Sequence, residues 1–168
     1  MNTESTKLVI FRLGDDLFAA DIFAVERVLR YQPPRGVPDV PPWIEGVIEY
    51  QKTVIPVVNL RRRFELPERA PAADTRIVVL TANGEWIGVV VDAVLEVSAV
   101  DPTSISPSPS FFRGLAGEYL KGIVRRAEGE RLVIALDVNH LLTATERIAL
   151  QQGSIRGTPI VSRAVVDA

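Results

Sequence analysis

The chain states one pattern twice, and this duplication narrows the possible folds more than any other feature. Residues 43–60 read WIEGVIEYQKTVIPVVNL. An apolar run, the polar group Glu49-Tyr50-Gln51-Lys52 and a second run rich in β-branched residues make a strand, a turn and a strand. Residues 119–138, YLKGIVRRAEGERLVIALDV, repeat it, with 119–124 matching 43–48 and 132–138 answering 54–60. An opening hairpin also occurs twice. Residues 8–13 turn at Gly14-Asp15-Asp16 and return along 17–22. Residues 76–80 turn at Asn83-Gly84 and return along 86–91. Asn-Gly is the strongest short hairpin signal, because both residues accept the positive φ of a type I′ turn. Aligning Leu17-Phe18-Ala19 with Trp86-Ile87-Gly88 sets Val25 against Val94 and Val28 against Val97 without a gap.

Each half therefore supplies a hairpin, a third strand (25–29 in the first half), a connection and a second hairpin. The expected fold is mainly all-β: two five-stranded β-barrel lobes packed on a shared core, with short helices. One such barrel, of roughly sixty residues, is marginal alone, and two together bury what each exposes. The expected divisions are lobe 1 at about 8–66, a Pro- and Ala-containing linker at 67–74, and lobe 2 at about 75–142. The pattern leaves open an exchange of segments between lobes at the ends. A short helix is expected at 61–64, with its copy at 138–142. Thr143-Ala144-Thr145-Glu146 fits a capping box, so a C-terminal helix is expected over about 144–152, with a tail of no clear period at 153–168. Five prolines (Pro33, Pro34, Pro38, Pro41, Pro42) forbid a regular element over 32–42. The connection at 101–117 is long enough to mark a functional or mobile segment, pinned by Phe111 and Phe112.

The chemistry of the chain is sparse. Its 168 residues include no cysteine, which excludes disulfides and thiolate metal sites. The only histidine, His140, reads as a partly buried structural residue. There is no G-x-S-x-G elbow and no phosphate-cradling glycine pattern. Carboxylates do not pair across the repeat: Asn59 stands opposite Asp137, Asp21 opposite Val90, and Asp92 opposite Phe23. No enzyme activity, cofactor or metal is expected. The net charge of −2 argues against a tandem-barrel nucleic-acid binder, the competing reading. Arg61-Arg62-Arg63 is followed by Glu65, Glu68 and Asp74 and lacks companion aromatics, so it reads as a solvated helix face. Trp43, Trp86 and Tyr119 read as core. Tyr50 lies in a polar turn where burial is not forced; it is a partner-contact candidate, with packing inside its own lobe as the alternative. A polar N-terminus and the absence of an apolar run of about 20 residues suggest a soluble cytoplasmic protein.

The motifs FRLGDDLF (11–18), VERV (25–28) and GVIEYQKTVIPVVNLR (46–61), followed by IGVVVDAV (87–94), ISPSP (105–109) and YLKG (119–122), resemble the CheW family in the family's order. The resemblance implies a non-enzymatic adaptor joining the cytoplasmic tip of a chemoreceptor to the regulatory domain of a histidine kinase. It also implies a two-barrel fold and recruitment to membrane-associated receptor arrays. It places a receptor site in the groove between lobes, near positions matched by Val25, Arg27 and Val28. The family turn Asn-Leu-Arg-Gly, which engages array partners, is here Glu49-Tyr50-Gln51-Lys52. Gln51 cannot make the bidentate, charge-assisted contact of an arginine. Tyr50, Gln51 and Lys52 thus join the expected partner-binding set, and the departure points to a divergent adaptor.

Overall fold

The computed structural model describes residues 6–106, 120–124 and 132–141. Its strands are β1 (Thr6–Leu13), β2 (Asp16–Asp21), β3 (Val25–Arg30), β4 (Ile44–Tyr50), β5 (Thr53–Asn59), β6 (Arg76–Ala82), β7 (Glu85–Val91), β8 (Ala93–Val100), β9 (Ile105–Ser106), β10 (Leu120–Val124) and β11 (Val133–Leu136). One short helix, α1 (Leu60–Arg63), follows β5, and single 3-10 turns follow β2, β8 and β11. The C-terminal helix expected at 144–152 lies outside the described residues, as do the tail, Phe111, Phe112 and Tyr119.

The strands form two sheets, ordered β8-β1-β2-β11-β10-β9 and β3-β6-β7-β5-β4. The expected division into residues 8–66 and 75–142 is not how they are shared. Hairpin β1–β2 of the first half sits among β8, β10 and β11 of the second, while β6–β7 of the second half sits among β3, β4 and β5 of the first. The two halves have exchanged their opening hairpins. Because both halves carry the same alternating pattern, either opening hairpin can complete either sheet, and strand periodicity specifies faces rather than partners.

The pairing registers bear out the repeat at residue level. Ala135 pairs with Ala19 in the parallel β11–β2 contact as Val57 pairs with Gly88 in β5–β7. Val94 lies opposite Phe11 as Val25 lies opposite Leu80, and each pairing carries a bulge at its next residue, Leu95 and Glu26. A bulge also falls just before Gly46 in β4 and just before Gly122 in β10. Glycine is required at both places by close approach. A Cβ on Gly46 would lie 2.3 Å from the Arg35 carbonyl oxygen, and one on Gly122 2.3 Å from that of Ser106. These approaches close the barrels. The chain leaving β3 returns so that Arg35 and Val47 exchange two backbone hydrogen bonds of 2.9 Å. The chain leaving β8 returns as β9, which pairs with β10.

The exchanged hairpins form the centre of the molecule, because both of their faces are covered. Leu8, Ile10, Leu17 and Ala19 fill one barrel with Val133 and Ala135. Ile77 and Val79 fill the other with Ile48, Tyr50, Ile55 and Val57. The alternate residues Phe11, Leu13, Phe18, Val78, Leu80 and Val89 meet between the sheets in a shared cluster. Each such buried side chain contributes about 1.5–3 kcal/mol, so this two-sided burial dominates the packing. The turns follow their residue chemistry. Gly14 has φ 61°, and Asn83 and Gly84 have φ 53° and 81° as the type I′ signal predicts.

The arginine run is not the solvated face its neighbours suggest. Arg61 and Arg63 are buried, and only Arg62 is exposed. Asn59 caps α1 by accepting the Arg62 N–H at 3.1 Å. Arg61 reaches Asp92, which also accepts the Gly14 N–H at 2.7 Å. Burial pushes the Asp92 carboxyl up, but the Gly14 N–H and the Arg61 and Arg12 guanidiniums outweigh it and hold the group below the usual carboxylate range. Arg63 stacks 4.1 Å over the Trp43 ring and donates to the Leu141 carbonyl at 3.1 Å. Trp43 and Trp86 are half-buried against the core. His140 is not partly buried as expected: it is exposed, with Nδ1 2.8 Å from Asp137 Oδ2.

Candidate partner interface

β3 lies at the edge of its sheet, and among the described residues it pairs with β6 alone. Val25 enters the seam and packs against the cluster shared by the two sheets. Leu29 turns into the barrel, while Val28 faces outward and is 38% exposed. Arg27 is exposed between them. The strand thus presents an exposed apolar side chain and an exposed cation on opposite faces, anchored at one end to the core.

The turn expected at Glu49 to Lys52 is tighter than its polarity suggests. Glu49 and Tyr50 belong to β4, Tyr50 pairs with Thr53, and only Gln51 and Lys52 form the loop. Both are exposed and both have positive φ, 47° and 62°. A two-residue hairpin needs this mirror-image geometry to match strand twist, and neither residue type favours it.

Of the two readings of Tyr50, packing within its own lobe is the one seen: it is buried inside the barrel, with its ring edge-on to Trp86 at 5.0 Å. Its hydroxyl donates to Glu26 Oε2 at 3.3 Å. As the last residue of a strand, Tyr50 continues the inward alternation of Gly46 and Ile48 that begins after the bulge. The polar residues that follow it belong to the other side of the hairpin and do not draw it outward. It ties Glu26, the bulge residue of β3, to the end of β4. The structure therefore separates the predicted residues into β3 (Val25, Arg27, Val28) and the exposed turn (Gln51, Lys52), with Tyr50 beneath.

The repeat also identifies residues that attention to the first half alone misses. β8 is the edge strand equivalent to β3. Val94 packs on the shared cluster as Val25 does, and Leu95 and Val97 are 48% and 53% exposed. Val97 aligns with Val28, so the duplication itself is the signal that points to it. Phe23, in the 3-10 turn that carries the chain from one sheet to the other, is 93% exposed. Among the described residues no group of three or more histidine, cysteine or acidic side chains could hold a metal ion, and no helix is long and apolar enough to cross a membrane.

Comparison with known proteins places this architecture. The chain is 30% identical over 150 residues to "Chemotaxis protein CheW" of Treponema pallidum, covering 87% of each. It is 31% identical over 144 residues to the protein of that name from Klebsiella aerogenes, covering 86% of each. The crystal structure of the scaffolding protein TtCheW from Thermoanaerobacter tengcongensis superposes with a TM-score of 0.78 at 30% identity, covering 84% of this chain and 95% of that one. The model of the CheW-like domain matches residues 7–146, nearly all of the described fold, and the chain belongs to that family.

Proposed function

We propose that this protein is a non-enzymatic chemotaxis adaptor that couples a chemoreceptor's cytoplasmic tip to the regulatory domain of a histidine kinase. The observation that carries the reading is the edge strand β3, where Val28 and Arg27 are exposed on its two faces and Val25 anchors the strand to the core. A helical receptor tip is recognised through a few apolar anchors flanked by polar groups, which is the chemistry this edge offers. The turn at Gln51 and Lys52 is the second contact, with a specificity changed from the family's Arg-Gly. The adaptor works in the cytoplasm and reaches the membrane only through its receptors.

The test is Val28→Glu. The side chain is exposed, so the fold tolerates the change and the melting temperature stays within a degree or two of the parent. Affinity for the receptor tip falls by about tenfold or more, as for a lost apolar anchor. Unchanged receptor affinity in a folded Val28→Glu protein would place the contact elsewhere.

A further inference from the structure

The segment after α1 crosses a polar cleft as a strap. One end is fixed where Arg61 Nη1 donates to the Pro67 carbonyl at 2.7 Å. The other is fixed by the turn in which Thr75 Oγ1 accepts from Ala72 N at 2.8 Å and Thr75 N donates to the Ala72 carbonyl at 3.1 Å. Between these anchors Glu68, Arg69, Ala70 and Pro71 are all exposed. Beneath lies a cleft of about 350 Å³ whose walls carry Glu45, Arg61, Arg62 and Asp92, with Glu68 and Arg69 at the strap.

Hydrogen-bond accounting decides which charge this cleft attracts. Both oxygens of Glu45 are engaged, one by Asn59 Nδ2 at 2.9 Å and the other by the Tyr31 hydroxyl at 3.1 Å. Asp92 Oδ2 is taken by the Gly14 N–H and Arg61. Both Glu45 oxygens and one Asp92 oxygen are therefore committed within the fold. The bases are placed differently. Arg62 is steadied by the Pro42 carbonyl at 3.1 Å and turns its Nε and Nη2 toward Glu68, at 2.8 and 3.3 Å. That two-pronged geometry is the guanidinium–carboxylate fork. Arg69 is mostly exposed and stands 3.9 Å from the already engaged Asp92. Glu68 itself is largely in solvent, on the strap between two anchors. Exposed pairs of this kind are weak and open readily.

We propose that this cleft receives an acidic segment of a partner protein, one of whose carboxylates takes the Arg62 fork, and that Glu68 is the tethered surrogate which occupies the fork until then. Arg69, next to Glu68, adds a second cation for a neighbouring carboxylate. The proposal does not depend on the coupling role above, because its site, ligand chemistry and test are separate from β3.

The experiment titrates the full chain with a hexaglutamate peptide at low salt by calorimetry, with hexalysine and citrate as comparison probes. The native protein binds hexaglutamate and not hexalysine. Glu68→Gln empties the fork, so affinity rises by about threefold, the inverse of the competent fraction for a weakly closed strap. Arg62→Gln abolishes binding. Arg62→Lys keeps the charge but not the fork and binds at an intermediate level. Melting curves verify that each variant is folded. Equal affinity in Glu68→Gln and native protein would overturn the surrogate role, and peptide binding that survives Arg62→Gln would overturn the site. Binding of citrate without the peptide would overturn the acidic segment as occupant.

Discussion

Replacing Gly46 with alanine adds one methyl group and should cost about 2–4 kcal/mol. The new Cβ would stand 2.3 Å from the Arg35 carbonyl oxygen and 2.8 Å from its carbon, both backbone atoms with no rotamer to change. The returning strand must therefore move away by about an ångström to reach ordinary contact. That movement breaks the paired Arg35–Val47 hydrogen bonds, each 2.9 Å long and each contributing roughly 1 kcal/mol. Overpacking of the remaining contacts adds about 1–3 kcal/mol. Alanine recovers roughly 0.4–1 kcal/mol from the unfolded state, which offsets only part. Gly46 also has φ 154°, rarely adopted by L side chains, so the cost falls toward the upper end. Gly122→Ala meets the Ser106 carbonyl at 2.3 Å without that added backbone strain, so it is destabilising but less so. Gly36→Ala is the control, since nothing lies within 4 Å of its Cβ position. Thermal melting decides: a loss of about 3 kcal/mol corresponds to roughly 6–12 °C in a domain of this size. If Gly46→Ala and Gly36→Ala melt together, the barrel is not closed by this approach and the argument fails.

Lys52→Gly should raise stability by about 0.5 kcal/mol in denaturant titration, because Lys52 is held at φ 62° and glycine relieves that strain at a smaller entropic cost. Combined with Gln51→Arg, it should shift affinity for an ordinary chemotaxis kinase or receptor by about 1.5–3 kcal/mol while leaving the fold intact. Asp92→Asn should destabilise at neutral pH, measured by melting across pH. Because the folded carboxyl titrates below its unfolded value, the Asp92 contribution is present above about pH 4 and fades as pH falls through the folded pKa. The gap between parent and variant should therefore narrow in acid. Arg63→Ala should lower stability by about 2–3 kcal/mol, through loss of the Trp43 stacking and of the hydrogen bond to the Leu141 carbonyl.

The repeat was legible because equivalent positions need equivalent chemistry: Gly46 and Gly122 each admit a carbonyl, and Val25 and Val94 each pack at the seam. The exchange of hairpins was not. The continuous apolar runs in β1 and β6 show that both faces are apolar, but two halves with one pattern give no local reason to choose a partner strand. Exposure and packing could not be told apart at Tyr50 because neighbouring polarity describes the turn, whereas burial follows from its parity within β4. Arg61 shows the same limit of local reading. The acid that pairs with it is Asp92, brought to it by the crossover from β7 to β8, and not the nearby Glu65 or Glu68. At the candidate interface, Val28 and Arg27 could be named from position, but their exposure depends on β3 being an edge, which is a property of the exchanged sheet.

The proposed coupling requires that one molecule join two partners. The most direct measurement is a titration of the purified protein against the kinase regulatory domain and the receptor tip from the same organism, singly and together. Saturable binding to each is expected, with a ternary complex when both are present and loss of the receptor arm alone in Val28→Glu. A folded protein that binds neither partner would contradict it.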